Sequence, residues 1–437
     1  MEQELKEHLK RILSAGLSAA DPAAAVRRFL SVEGGKIRVE DHSFPAGRVF
    51  VLAAGKAAGP MASAAVQTLG GLLSGGIVVT KDGNDLPEKV RESGLEVCFA
   101  SHPEPDERGV RAARRVSELA ESLGEGDLLL CLISGGASAL LADPDPSVGL
   151  EDLGHLTGDL LRSGASIGEI NAVRKHVSTL KGGGLARLAA PANVVSLLLS
   201  DVVGDDPSAI ASGPTAPDSS TLDDARAVLK RYGIESPQSV SVLLDSAEET
   251  PKAGDPIFER VTNLVCGGGR PSVEAAAREA ESLGYAPLLL STSMTGDAQG
   301  IASVYAAMIR ESRESGSPVS PSCALVSGGE ATVVVRGDGS GGPNQEFSLS
   351  LALELEGVTG WAALAADTDG NDGPTDAAGG LVDGGTARLA REAGVDPAEA
   401  ILRSDAGRAL SAADALLVTG PTGTNVNDLR VALLARV

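Results

Sequence analysis

A lysine placed straight after a glycine at the end of an apolar run can hold a negative charge, and Lys56 follows Gly55 in this way. It is the only cation among the apolar and small residues 49–65. A Walker loop is excluded, because no glycine lies five residues before Gly55 and Ala57 stands where Ser or Thr would hold magnesium. Lys56 then reads as a point charge for a phosphate or carboxylate, or as a solvated surface lysine. A second candidate is Ser134-Gly135-Gly136-Ala137-Ser138, which follows an apolar run and precedes an apolar helix. Its glycines let backbone N–H groups approach an anion and its hydroxyls can add donors, although a tight turn capped by Ser138 would look the same. In the stretch 170–180, Asn171, Arg174, Lys175 and Ser178 recur at helical spacing, apart from the apolar Ile170, Val173, Val177 and Leu180. Two adjacent cations beside Asn and Ser make an anion clamp or a solvated helix face, with His176 between the two faces. Asp201 ends another apolar run, where a carboxylate can bind magnesium, take a proton from a hydroxyl, or cap a turn.

The later part of the chain carries oxygen-rich loops. Asp367, Asp369, Asn371, Asp372 and Asp376 crowd into ten residues. An EF-hand is excluded because its sixth position is Asp372 and its twelfth Ala378, so Asp367 and Asp369 are candidates for magnesium bound with phosphates. Gly337, Gly339 and Gly342 satisfy the spacing of a dinucleotide fingerprint. Pro343 argues against it, since proline fits the first helical turn and starts the helix after the glycines rather than around the last one. Asn344, Gln345 and Glu346 are expected to project from that first turn as phosphate or sugar contacts. Gly328, Gly329 and Glu330, and Thr422 with Asn425, lie in two further polar loops at expected strand ends.

Elements that could position these loops are legible as short apolar runs at 48–54, 76–80, 96–100, 127–133 and 193–200, each followed by a longer Ala/Leu/Glu/Arg segment. Continuous apolar strands alternating with helices predict a parallel sheet covered on both faces. A second series is expected at 262–266, 286–291, 322–327, 331–336, 361–366 and 415–419, after a polar stretch holding Pro237, Pro251 and Pro256. Ligands of such sheets bind beyond the carboxyl ends of the strands, where the loops above lie. With 437 residues two domains are expected, and with only 2% aromatics their cores must be aliphatic. A formal charge of −22 opposes nucleic acid and anionic membranes, so any anionic substrate needs local cations or a metal. Cys98, Cys131, Cys266 and Cys323 have no metal spacing and read as thiols of a reducing compartment. No run has the length of a signal peptide or membrane span, which predicts a cytoplasmic protein.

Taken together, the stretches AAGKAAGPMA, SHPEPDERG, LISGGASALL, INAVRKHVSTLKGGGLA, LLLSDVVGDDPSAIASGPT, SGGEATVVVRGDGSGGPNQEF, AADTDGNDGPTDAAGG and TGPTGTNVNDL resemble the glycerate 2-kinase family of the MOFRL type, also known as hydroxypyruvate reductase. The resemblance runs in family order from residue 48 onward. It implies an α/β fold with an N-terminal Rossmann-like domain (1–245) and a C-terminal MOFRL-type domain (246–437), and an inter-domain cleft holding glycerate, ATP and a divalent cation. Lys56 matches the family's active-site lysine, and residues 134–138 with Arg174 match its anion-binding surroundings. Many members carry arginine where this chain has Pro343, so either another cation meets the nucleotide or the loop binds it differently.

The resulting expectation is ATP-dependent phosphorylation of D-glycerate at the 2-hydroxyl, with NAD(P)H-dependent hydroxypyruvate reduction as the alternative. Lys56, Asp201 and Arg174 are the expected catalytic residues. Ser134, Gly135, Gly136, Ala137, Ser138, Asn171 and Lys175 would bind substrate. Gly328, Gly329, Glu330, Asn344, Gln345, Glu346, Thr422 and Asn425 would bind the nucleotide, and Asp367 and Asp369 would bind Mg2+. The expected partners are a small-molecule substrate and a nucleotide, without nucleic acid or membrane, and a homodimer is left open.

Overall fold

The computed structural model describes every residue of the chain except Ala46, Pro103 and Val437. The chain divides into two compact units, Pro22–Cys266 and a second made of Met1–Asp21 with Gly267–Val437. The sequence division at 245/246 differs from this at both ends. The first helix, Glu2–Ala19, buries Leu5, Leu9, Ile12 and Leu13 in the core of the C-terminal unit, so it belongs there despite its position in the chain.

The unit Pro22–Cys266 opens with a helix, Pro22–Phe29, followed by a small antiparallel meander of β1 (Leu30–Glu33), β2 (Lys36–Val39) and β3 (His42–Phe44), which the sequence analysis did not anticipate. Its main sheet contains β4 (Val49–Ala54), β5 (Leu73–Lys81), β6 (Glu96–Ala100), β7 (Leu128–Ser134), β8 (Asn193–Leu199) and β9 (Val261–Gly267). These six strands lie in the order β6-β5-β4-β7-β8-β9. The pairings of β4 with β5 and β7, β5 with β6, and β7 with β8 are parallel, as continuous apolar strands require when both faces are covered. Every residue of β7 is buried. The chain adds strands outward on one side of β4 and then returns to start the other side with β7, so the order reverses between β4 and β7. Such a reversal leaves a crevice beyond the strand ends where ligands bind. β9, expected in the second series, completes this sheet instead.

The second unit holds a mixed sheet of β10 (Ala286–Asp297), β11 (Cys323–Thr332), β12 (Trp361–Asp367), β13 (Gly379–Asp383), β14 (Leu416–Leu417) and β15 (Asp428–Leu434), in the order β10-β11-β15-β12-β13-β14. Only β10 and β11 pair in parallel; the other described pairings are antiparallel. Alternation along β15 sends Leu429, Val431 and Leu433 to the face packed by Glu2–Ala19 and Gly269–Ser282, and Ala432 and Leu434 to the face carrying Tyr305, Phe347 and Trp361. The strand expected at 322–327 is β11, which runs on through Gly328 and Gly329 to Thr332; of the strand expected at 331–336 only Ala331 and Thr332 belong to it, and residues 333–336 form no strand. Among the described residues no helix is long and apolar enough to cross a membrane.

Candidate active site

Lys56 is positioned by hydrogen bonds between the turns that leave β4 and β7. Its backbone N–H donates to Gly135 O at 2.9 Å, the Ala57 N–H donates to Ser134 Oγ at 3.0 Å, and Asn84 Nδ2 donates to Lys56 O at 2.9 Å. Gly55 has φ 125°, and a Cβ there would land on Ser134, so only glycine lets the turns lie this close. Ser134 is therefore a buried brace between the turns rather than an open donor.

The two glycines that follow carry the chemistry. A Cβ on Gly135 would overlap the Asp201 carboxylate, which lies directly against that backbone. A Cβ on Gly136, whose φ is 86°, would sit 3.1 Å from His102 Nε2 and 3.3 Å from Lys56 Cγ. A carboxylate, a lysine stem and an imidazole thus surround one diglycine at the reversal point of the sheet. Burial pushes the Asp201 carboxyl up from its usual value, against the pull of its own backbone N–H and of the Lys56 ammonium. The imidazole was not foreseen as a site group, although His102 lies in the SHPEPDERG stretch.

Beside Gly136 a cavity of about 300 Å³ is lined by His102, Ser138, Thr157, Arg174 and Lys181 together with apolar side chains. Arg174 is half-buried, and burial alone pulls its basicity down. Among the described residues its guanidinium has no carboxylate and no hydrogen-bond acceptor. A desolvated cation without a counter-charge is costly unless a ligand supplies one. Lys181, by contrast, pairs with buried Asp143 and donates to Leu141 O at 3.0 Å.

The stretch 170–180 does not present one polar face. Its helix, Ile167–His176, opens with a capping box from Ser166 and Glu169 and ends before Val177. Lys175 turns into the protein and pairs with buried Asp218 at 3.0 Å, which makes it a structural cation. Asn171 is buried and accepts from Ser212 Oγ at 3.0 Å, and Ser212 in turn meets Ser138 Oγ at 2.9 Å. Asn171 thus holds Ser138 through Ser212, a residue at φ 59° that the sequence analysis did not single out. Ala137 is buried behind the diglycine. His176 is fixed by Ala172 O at 2.7 Å and Glu249 at 3.3 Å.

The residues expected to meet a nucleotide in the other unit are mostly engaged internally. The Asp372 carboxylate accepts from the backbone N–H groups of Asn344 at 3.0 Å and Gln345 at 2.8 Å, capping the helix Pro343–Glu354. Asn344 and Gln345 do not project outward; both are buried, with Asn344 Nδ2 bonded to Asp428 at 2.6 Å and Gln345 Nε2 to Thr375 at 2.7 Å. Glu346 is buried and accepts from Gln299 at 2.8 Å, and burial pushes its carboxyl up. Gly328 and Gly329 are strand residues: a Cβ would come within 2.6 Å of Val273 at the first and would overlap Met294 at the second. Glu330 is exposed on the same strand. Asp367 and Asp369 form successive turns, Asp367 accepting from Asp369 N–H at 3.0 Å and Asp369 from Asn371 N–H at 2.9 Å. Thr422 donates to Thr368 O beside them, and Asn425 accepts from Asn427 N–H at 3.2 Å. Among the described residues no three His, Cys, Asp or Glu side chains converge on a point that could hold a metal ion.

Residues 8–245 match a domain of unknown function, DUF4147, and residues 323–428 match the MOFRL family. The D-glycerate 2-kinase of Thermotoga maritima is 42% identical, covering 99% of both chains. The chain belongs to the MOFRL-type glycerate 2-kinase family. An Agrobacterium vitis relative that carries hydroxypyruvate reductase as a provisional name is 43% identical, over 98% of this chain and 94% of its own. The crystal structure of glycerate kinase from Thermotoga maritima superposes with a TM-score of 0.88 at 41% identity, over 99% of this chain and 100% of that one. Of the family's two matched regions, the first carries Lys56, the diglycine, Arg174 and Asp201, and the second carries the capped helix and the Asp367 turns.

Proposed function

We propose that this chain transfers the terminal phosphoryl group of ATP to the 2-hydroxyl of D-glycerate, giving 2-phosphoglycerate and ADP, as the names of its kinase relatives suggest. The observation that carries the reading is the diglycine at 135–136, with Lys56 and Asp201 against it and the unpartnered Arg174 in the adjoining cavity. Phosphoryl transfer asks for positioning and charge neutralisation more than covalent chemistry. Asp201 would accept the proton of the attacking hydroxyl, a task suited to a carboxylate made more basic by burial. Lys56 would neutralise charge on the transferring group, and Arg174 would take a carboxylate or phosphate in two parallel hydrogen bonds. Ser138, whose hydroxyl proton goes to Ser212, would offer the ligand only an acceptor and would steady the turn.

Magnesium would be held by Asp367 and Asp369 only together with phosphate oxygens, as is usual for this ion, because no third side-chain ligand converges there among the described residues. When bound it would supply charge neutralisation to the phosphates. Four free cysteines, three of them buried, fit a reducing cytoplasm. The reductase reading is disfavoured by Asp372. A dinucleotide pyrophosphate would need the helix start after Gly337–Gly342, and a carboxylate already occupies its N–H groups. Purified protein with D-glycerate, ATP and magnesium should yield 2-phosphoglycerate by phosphorus NMR and lose activity reversibly in EDTA. Oxidation of NAD(P)H with hydroxypyruvate, without phosphoryl transfer, would overturn the reading.

A further inference from the structure

The cavity beside Gly136 has walls that a three-carbon hydroxy acid would not use. Helix Leu150–Arg162 presents Leu153, Thr157 and Leu161 to it at successive i, i+4 positions, and Ala139 and Val177 add to the apolar lining. Leu161 is 61% exposed, so an apolar stripe runs from the cavity to its mouth without cover. Glycerate offers oxygens on every carbon and has no apolar surface to match. Arg174 nevertheless marks the same cavity as a place for an anion, which narrows the ligand to one with a flat or apolar body joined to negative charge. Meanwhile the helix start at Pro343 is occupied by Asp372, and Asn344 and Gln345 spend their donors internally.

We propose that this cavity seats the base and sugar of the nucleoside triphosphate donor, with Arg174 facing its phosphates and the Leu153/Thr157/Leu161 stripe covered by the base. The inference rests on the kinase reading for the identity of the ligand. It places the donor's recognition on the unit Pro22–Cys266 instead of on the glycine-rich loop 337–342. A planar base suits apolar walls, Thr157 offers a hydroxyl to its edge, and a guanidinium can also lie against a ring face.

The test uses the full chain with 13C-labelled leucine methyls. ADP should shift the Leu153 and Leu161 methyl signals through the ring current of the base, whereas inorganic tripolyphosphate and D-glycerate should leave them in place. Leu161→Asn, on an exposed position that tolerates a polar side chain, should raise the KM for ATP about tenfold while the KM for glycerate stays within about twofold. Unmoved leucine methyls on saturation with ADP would overturn the base seat, as would shifts produced by glycerate alone, or an unchanged KM for ATP in Leu161→Asn. The kinase reading fails separately: if ADP moves both methyls but no 2-phosphoglycerate forms, the seat stands and the reaction is wrong.

Discussion

Two glycine-rich turns precede helices in this chain, residues 134–138 in one unit and 337–343 in the other, and they are glycine-rich for different reasons. At Gly135 and Gly136 the space a side chain would fill is taken by Asp201, His102 and Lys56, groups that can act on a ligand. At Gly337 and Gly339 it is taken by the backbone and Cβ atoms of Arg403 and Asp405, and at Gly342 by Asp372, which also consumes the helix's N–H groups. A glycine run therefore announces close approach without saying what approaches. The distinction lies in whether nearby charge is satisfied, as Asp372 satisfies the second turn, or left open, as Arg174 is beside the first.

The largest effect should come from Lys56→Met, with turnover falling at least about a hundredfold and the melting temperature changing little, since a strand-end ammonium acts on charge that develops in the transition state. Near-normal turnover would reduce the first turn to packing, like the second. The glycines themselves separate the two turns next. Gly135→Ala would displace Asp201 and should lower turnover by roughly 10- to 100-fold at modest cost in stability. Gly342→Ala would press on Asp372 and should cost about 2 kcal/mol in urea unfolding while turnover per folded molecule is kept. Equal losses of turnover in both variants would erase the contrast.

Adjacent cations on one helix give a finer version of the same comparison. Arg174→Met removes a half-buried charge that has no partner among the described residues, so the ligand-free protein should be as stable or more so, with the KM for an anionic substrate raised about tenfold. Lys175→Met strands Asp218, which still accepts from Ser220 and Thr250, and should cost about 2 kcal/mol with KM unchanged. Chemical denaturation and steady-state kinetics on the pair check both signs.

Much of the first turn's surroundings could be read in advance because strand, glycine break and helix follow one another locally. The runs ending at Ala54 and Ser134, and the isolated charge of Lys56, needed no long-range knowledge. What could not be read was decided by tertiary partners. Asn344, Gln345 and Glu346 look like an outward polar turn, but their helix is buried almost all round, so their polarity serves the interior. Lys175 looks like Arg174's twin until Asp218, 43 residues later, claims it. β15 was missed because DLRVALL, with an arginine in its middle, does not read as a central strand; Arg430 is fully buried there and pairs with Asp428. β9 and the first helix each joined the unit opposite to the one that chain order suggested.

The smallest expected effect concerns Asp372 and the pH dependence of stability. Burial raises its carboxyl to about 6, with the N–H groups of Asn344 and Gln345 opposing the shift and the charge of Asp428 adding to it. In the unfolded chain the same group titrates near the usual 3.8. Between those values the folded state binds more protons than the unfolded state, so this group's contribution to stability falls as pH rises through the window and is lowest above it. Asp372→Asn keeps an acceptor at the helix start but removes the titration. Relative to wild type, the variant should therefore gain stability between pH 4 and pH 7.5, by at least about 1.4 kcal/mol, the value of one pKa unit. Urea midpoints of both proteins at the two pH values measure that difference directly, since every other titrating group is common to the pair. If the wild type gains relative to the variant as pH rises, the carboxylate is favoured in its charged form. The helix start would then behave as an anion site filled from within, and the contrast with the first turn would rest on occupancy alone rather than on a buried group held near neutrality.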